Sequence, residues 1–173
     1  ESYHRAEAAY KNGAFNLELI SVEVPNGKDK IMVSEDEEWR KVKYDKIATL
    51  RPAFQKDGTI TAANASKIND GATAMILASA DKVKELGLKP VCKITGFADA
   101  AQAPEWFTTT PSLAVPKALK MAGKEIKEID FFELNEAFSV VNIANNRILG
   151  IDNSKANIYG GAVSLGHPIG NSG

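Results

Sequence analysis

The chain has 173 residues, of which 44% are apolar and 25% charged, and its net charge is −1. That composition is ordinary for a globular protein and offers no broad basic surface for nucleic acid. No apolar run approaches the roughly 20 residues that span a bilayer, which argues against a membrane protein, and the single cysteine, Cys92, rules out an intrachain disulfide.

In chain order, residues 1–12 read as the end of a helix, with Tyr3, Ala6 and Tyr10 on one face and Gly13 as its stop. There is no initiator methionine or targeting leader, so the expectation is an internal segment of a longer protein. Leu17–Val24 is rich in strand formers, Pro25-Asn26-Gly27-Lys28 is a turn, and Lys30–Val33 is the return strand of a hairpin. Residues 34–46 run from acidic to basic, ending in Arg40, Lys41, Lys43 and Lys46 beside Trp39 and Tyr44. Such a run is by default a solvated face; its alternative is an anion site beside an aromatic ring. Thr59–Ser66 is made almost wholly of small residues, either a close-packed wall or a surface of carbonyls and Ser66 facing a ligand. Ala72–Ala78 is expected to be a fully buried strand, with Ser79 capping a short helix that ends at Gly87.

A new unit starts near Pro90. Val91–Phe97 reads as a strand, with Cys92 as a small core residue. Pro111–Ala122 is a helix closed by Gly123, with Pro116 in its first turns. Ile129–Leu134 is a strand followed at once by an amphipathic helix, with Asn135 at its N-cap and an apolar face formed by residues 137, 138, 141, 144 and 148. The last stretch, from Asn157, is a strand, a Gly-Gly bend and then His167 between Gly166 and Pro168 at the mouth of a further helix. Gly170 and Gly173 leave room there for a ligand or another backbone. Strands alternating with helices predict an α/β layered fold with parallel strands.

Two strand-to-helix corners can carry chemistry: Leu134–Phe138 and Gly166-His167-Pro168. Ligands of open α/β sheets bind at such corners. A neutral imidazole there is a general base, and an Asn amide can donate to a developing oxyanion. There is no phosphate-binding glycine loop and no nucleophile elbow, and two histidines with one cysteine provide no zinc ligand set.

Three stretches carry a family resemblance. Gly160–Gly173 resembles the second signature of thiolases. Asn135-Glu136-Ala137-Phe138 is similar to that family's Asn-Glu-Ala-Phe motif, and Thr61–Gly71 to its pantetheine-contacting stretch. The Asn-Ala-Ser and Asn-Asp-Gly forms lie nearer the biosynthetic branch, the acetyl-CoA acetyltransferases. The resemblance implies a layered α/β fold of parallel or mixed sheets with helices between them. In it, residues 1–68 close the CoA-binding loop domain, 69–89 end the N-terminal half, and 90–173 form a truncated C-terminal half. It implies Claisen condensation of two acetyl-CoA to acetoacetyl-CoA, or the reverse thiolysis, through an acetyl-cysteine. His167 would be the base and Asn135 the oxyanion residue, acting through a water.

By the same resemblance, Ser66 would contact pantetheine, and Tyr3, Lys41, Val42, Lys43 and Lys46 would meet the nucleotide end of CoA. Ala137 and Phe138 would line the acyl site. No cofactor is required beyond CoA as substrate, although some relatives hold potassium. The matching positions are Tyr3, Ala62, Ala63, Ala65 and Val163. Both catalytic cysteines would lie outside this chain, one upstream of Glu1 and one downstream of Gly173 in a Cys-x-Gly-Gly-Gly segment. The parent enzyme would be a dimer or tetramer, mitochondrial or cytoplasmic. The competing reading is a CoA-binding module without catalysis.

Overall fold

Helix α1 (Ser2–Lys11) forms where the 3.6-residue spacing predicts it, and buries Tyr3, Ala6 and Ala9. The computed structural model describes residues 1–172; Gly173, expected to give space beside the histidine, lies outside them. The hairpin forms with shifted bounds: β1 (Val22–Asn26) pairs antiparallel with β2 (Asp29–Val33), Val22 opposite Val33 and Asn26 opposite Asp29. Gly27 takes the first central turn position at φ +66°, as a II′-type connection requires. The strand starts later than Leu17 because the chain is still turning there: Glu18 N–H and Leu19 N–H both donate to Phe15 C=O, at 3.1 and 3.2 Å.

The acidic-to-basic stretch supplies a single turn, α2 (Glu38–Lys41), and a 3₁₀ turn over Tyr44–Thr49. Helix α3 (Ala80–Glu85) begins as expected, with Ser79 Oγ accepting from Lys82 N–H. Helix α4 (Pro111–Ala122) ends at Gly123 and holds Pro116 in its second turn. Helix α5 (Ser139–Leu149) packs against α4, and α6 (Ala162–Leu165) against α1. Phe132, Ile151 and Ala156 form a small core, with Val115, Ile126, Ile129 and Leu149 packed around it. No helix among the described residues is long and apolar enough to cross a membrane.

Several expected elements are corrected. Residues 72–78 and 91–97 form no ladder with another segment among the described residues, so neither is a strand. Their side chains are exposed rather than buried: Ile76 and Val91 are fully accessible, and Cys92 is exposed too. A strand exists only where a neighbour completes its ladder hydrogen bonds, and the other described segments place none beside these runs. Residues 129–134 likewise keep only a parallel bridge, Phe132 to Ala156. Burial nevertheless alternates there, with Phe132, Leu134 and Glu136 inside and Phe131, Glu133 and Asn135 outside, as in an extended chain with one covered face.

The N-cap of α5 is Phe138, three residues after Asn135. The intervening backbone stays extended because it bridges the 64–66 loop: Ser66 N–H donates to Ala137 C=O and Ser139 N–H to Asn64 C=O, both at 2.9 Å. The buried side of α5 is Val141, Asn142, Asn145 and Asn146; of the expected apolar face Val141 is buried and Ala144 half-buried, while Ile148 is exposed and asparagines fill the rest of the buried side. Asn145, fully buried, accepts from Ser112 N–H at 2.9 Å and donates to Thr108 C=O at 2.8 Å, stitching α5 to the start of α4.

Candidate active site

His167 follows a helix instead of opening one. Gly166 ends α6 at φ +97°, and a Cβ there would stand 2.5 Å from Asn69 Oδ1. Only glycine lets the chain turn so close to that side chain. His167 then forms a parallel bridge with Ile68; its N–H donates to Lys67 C=O at 3.0 Å, with Asn69 Oδ1 also within 3.3 Å. Pro168 C=O accepts from Asn171 and Ser172 N–H, so the proline opens a single turn.

Asn135 is fixed from the opposite side. The side-chain amide of Asn157, 2% exposed and at φ +48°, pairs with the Leu134 peptide in both directions. Leu134 N–H donates to Asn157 Oδ1 at 2.8 Å and Asn157 Nδ2 donates to Leu134 C=O at 2.9 Å. This side-chain rung fixes the extended segment just before Asn135. One residue later, the buried Glu136 carboxylate accepts from Ser2 Oγ at 2.7 Å and from Val163 N–H at 3.3 Å. Ser2 Oγ also lies 2.9 Å from Ser164 Oγ and accepts from Gly161 N–H at 3.0 Å. A Cβ on Gly161 would meet Glu136 Oε2 at 2.5 Å. Burial raises the Glu136 carboxyl above its ordinary value, against the lowering effect of those two hydrogen bonds. Sequence reasoning passed over Glu136 and Asn157; the signal for Glu136 was a charged residue at an inward position of an alternating run.

These supports place Asn135 Nδ2 3.4 Å from His167 Nε2. That is long for a hydrogen bond, so each polar end is free to turn toward a third group between them. His167 Nδ1 is enclosed and has no hydrogen-bond partner among the described residues. Asn135 and Gly166 border an open cavity of about 220 Å³ that Glu133, Gly160, Leu165 and Ser172 also line. A base and an amide donor this close to each other can accept a proton and stabilise an oxyanion on a group held between them.

The other candidate residues fall into two groups. Ser66, half-buried, is joined through its backbone to Ala137, and the Phe138 ring meets Phe54 edge to face at 6.0 Å. Both therefore adjoin the Asn135 corner. Tyr3 is buried, and its hydroxyl is raised from the ordinary value, first by burial and then by Glu38. Lys41 is engaged by Glu37 at 2.6 Å and Glu38 at 3.2 Å, chiefly a solvated face. Lys43 and Lys46 have no acidic partner within 4.0 Å among the described residues, and Val42 closes α2 between Lys41 and Lys43. Arg40 lies over the Trp39 ring at 4.6 Å, and Trp39 stacks on Tyr10. Of the five residues matched to a potassium site, Ala62 and Ala65 present their carbonyls to Lys67 Nζ, the second at 3.2 Å.

Family comparison covers almost the whole chain. Residues 1–81 match the N-terminal domain of thiolase and residues 88–173 match its C-terminal domain. An acetyl-CoA acetyltransferase of Schizosaccharomyces pombe is 56% identical over 99% of this chain and 44% of its own length. A probable acetyl-CoA acetyltransferase of Dictyostelium discoideum is also 56% identical, over 100% of this chain and 42% of its own. Among solved structures, the Acat5 thiolase of Ascaris suum in complex with coenzyme A superposes with a TM-score of 0.92 at 46% identity. Human mitochondrial 3-ketoacyl-CoA thiolase does so with 0.93 at 41%; each alignment covers 99% of this chain and 44% of the other. The chain thus spans less than half the length of the relatives it matches, and its mixed helix and strand architecture is that of their α/β fold. With both halves of the family represented on one continuous segment, the chain belongs to the thiolase family.

Proposed function

We propose that this chain provides the base and the oxyanion donor of an acetyl-CoA C-acetyltransferase. The reaction is condensation of two acetyl-CoA to acetoacetyl-CoA and free CoA, or its reverse. The observation that carries the reading is the approach of Asn135 Nδ2 to His167 Nε2, 3.4 Å apart, beside a cavity that Asn135 and Gly166 line. The acetyl-CoA acetyltransferase names of relatives at 56% identity support the substrate, and the coenzyme A complex of the Ascaris thiolase supports the ligand.

In the first half-reaction, a cysteine thiol gives its proton to His167, and the thiolate attacks the acetyl carbonyl. The negative charge that collects on the carbonyl oxygen is met by His167 and by a water held on Asn135. CoA thiolate leaves and takes up the proton, which yields the acetyl-cysteine. In the second half, the α-carbon of another acetyl-CoA is deprotonated by a second cysteine and attacks that thioester, forming the new carbon–carbon bond and releasing the first cysteine. Neither cysteine is Cys92, which stands in the exposed 91–97 run. Ser66 contacts the pantetheine arm, while Lys43 and Lys46 meet the CoA phosphates. Family members associate as dimers or tetramers, and the same assembly is proposed here.

The test is thiolysis of acetoacetyl-CoA by the complete gene product. His167→Ala and Asn135→Ala each lower kcat by about 10²-fold or more, while CoA binding survives. Turnover within tenfold of the parent in the His167 variant would overturn the assignment. CoA binding with no turnover in the unmutated protein would instead favour a CoA-holding module.

A further inference from the structure

Two carbonyls of the loop 61–67 face a charge that the chain itself supplies. Lys67 Nζ donates to Ala62 C=O and to Ala65 C=O, the latter at 3.2 Å. Those are two of the carbonyls that the family resemblance offers to a potassium ion, together with Ala63, Val163 and the Tyr3 hydroxyl. An ammonium and a potassium ion have the same charge and seek the same hard oxygen donors. Two such cations on shared carbonyls stand at a short separation and repel each other. The residues present therefore do not suit an added monovalent cation.

We propose that the Lys67 ammonium is the resident cation of this carbonyl cradle, tethered by its own side chain, and that it removes the protein's need for potassium.

The position of Lys67 gives the substitution a consequence. Its own carbonyl accepts from His167 N–H at 3.0 Å. The next residue back, Ser66, donates its N–H to Ala137 C=O at 2.9 Å, and Ala65 bridges Phe138. The loop that the ammonium closes is thus the backbone on which both the His167 corner and the Asn135 corner are hung. A cation at this point fixes the loop by drawing its carbonyls together, whichever source supplies the charge. A tethered ammonium does so without loss of a free ion's translational entropy, and it is present at any external salt composition.

The experiment is a set of thermal melts of the complete gene product at constant ionic strength in potassium, ammonium or tetramethylammonium chloride. Melting reads the cradle independently of acyl transfer, so failure of this proposal and failure of the catalytic reading are separable. The unmutated protein melts at the same temperature in all three salts, within about 1 °C, a margin well below the shift from 1 kcal/mol in a domain of this size. Lys67→Ala melts lower in tetramethylammonium, and recovers in potassium and in ammonium with a saturable dependence on concentration, as mass action requires of a site that binds only the folded state. Lys67→Met, which keeps the length of the side chain without its charge, shows the same loss and a smaller recovery. A potassium-specific rise in the unmutated protein overturns the proposal, because a second cation would then bind despite the lysine. So does a Lys67→Ala protein that melts like the parent or ignores potassium. Should neither variant fold, the salt series on the unmutated protein still decides the matter.

Discussion

Glu136 gives the sharpest test of how the site is built. It is 5% exposed, and its carboxylate accepts from Ser2 Oγ and Val163 N–H. Replacing it by alanine acts unevenly on the two donors. Ser2 keeps Ser164 Oγ at 2.9 Å as a neighbour. Val163 is 1% exposed, and its N–H loses the acceptor that Glu136 provides in a place water does not reach. An orphaned buried N–H costs about 1–3 kcal/mol, and the void left by the carboxyl adds to that. Against this stands relief from burying a carboxylate, which partly offsets the loss. The net expectation for Glu136→Ala is destabilisation of about 2 kcal/mol, or several degrees in Tm at ~2–4 °C per kcal/mol. Glu136→Gln keeps an acceptor oxygen and should stay within about 1 kcal/mol of the parent.

The two variants also separate charge from shape. Burial raises the Glu136 carboxyl above its ordinary 4.5. A raised acid binds more protons when folded than when unfolded, so its contribution to stability falls as pH rises from the ordinary value through the folded one. Above that window the full penalty of the charged, buried form is present. Melting temperatures measured from pH 4.5 upward should therefore show a downward component in the parent that Glu136→Gln lacks. An alanine variant that melts within a degree of the parent, or a glutamine variant with the parent's pH slope, would refute the account of Glu136 as a buried brace for the Asn135 corner.

Other substitutions probe separate parts of the molecule. Lys43→Ala and Lys46→Ala should raise KM for CoA several-fold with kcat little changed, more at low salt than at high, as screening demands. Lys41→Ala should do less, because Glu37 and Glu38 already hold that ammonium; steady-state kinetics at two salt concentrations tell them apart. Gly166→Ala forces a Cβ to 2.5 Å from Asn69 Oδ1 at φ +97°, a strain of ~1–3 kcal/mol. It should reduce kcat together with Tm, because the same backbone sets the His167 bridge to Ile68.

The sequence carries the helices better than the strands, for a physical reason. α1, α3 and α4 are legible because a helix closes its own hydrogen bonds, and its caps are local: Ser79 before α3, Gly123 after α4. The runs at 72–78 and 91–97 look like buried strands by composition, yet a strand is a property of two segments, and only the hairpin 22–33 has its partner nearby in sequence. Composition states that Ile76 and Val91 call for covering surfaces; it cannot state which segments supply them. The same limit misplaced the cap of α5. Asn135 is a preferred N-cap residue, but the long-range bridge from Ala65 to Phe138 holds residues 136–138 extended and moves the helix start to Ser139.

The site divides along the same line. His167 is legible because glycine and proline on either side prescribe its backbone, and the motif around Asn135 is contiguous. What brings them within 3.4 Å of each other is not local at all. Asn157 pairs with Leu134 across 23 residues, Glu136 reaches Ser2 across 134, and His167 takes its backbone partner from Lys67. Each of these contacts joins segments far apart in the chain, and Ser2 and Asn157 lie outside every motif. Chemistry is written in short stretches because the reacting groups must be of fixed type; placement is spread over the chain because any buried acceptor of the right reach can serve. It follows that substitutions at Asn157 or Glu136 should move kcat and stability together, whereas those at Asn135 should move kcat with Tm nearly unchanged, since Asn135 is exposed and its neighbour Leu134 carries the rung. Paired measurement of the two quantities across these three positions distinguishes the groups that act on substrate from the scaffold that aims them, and a large fall in Tm for Asn135→Ala would break that division.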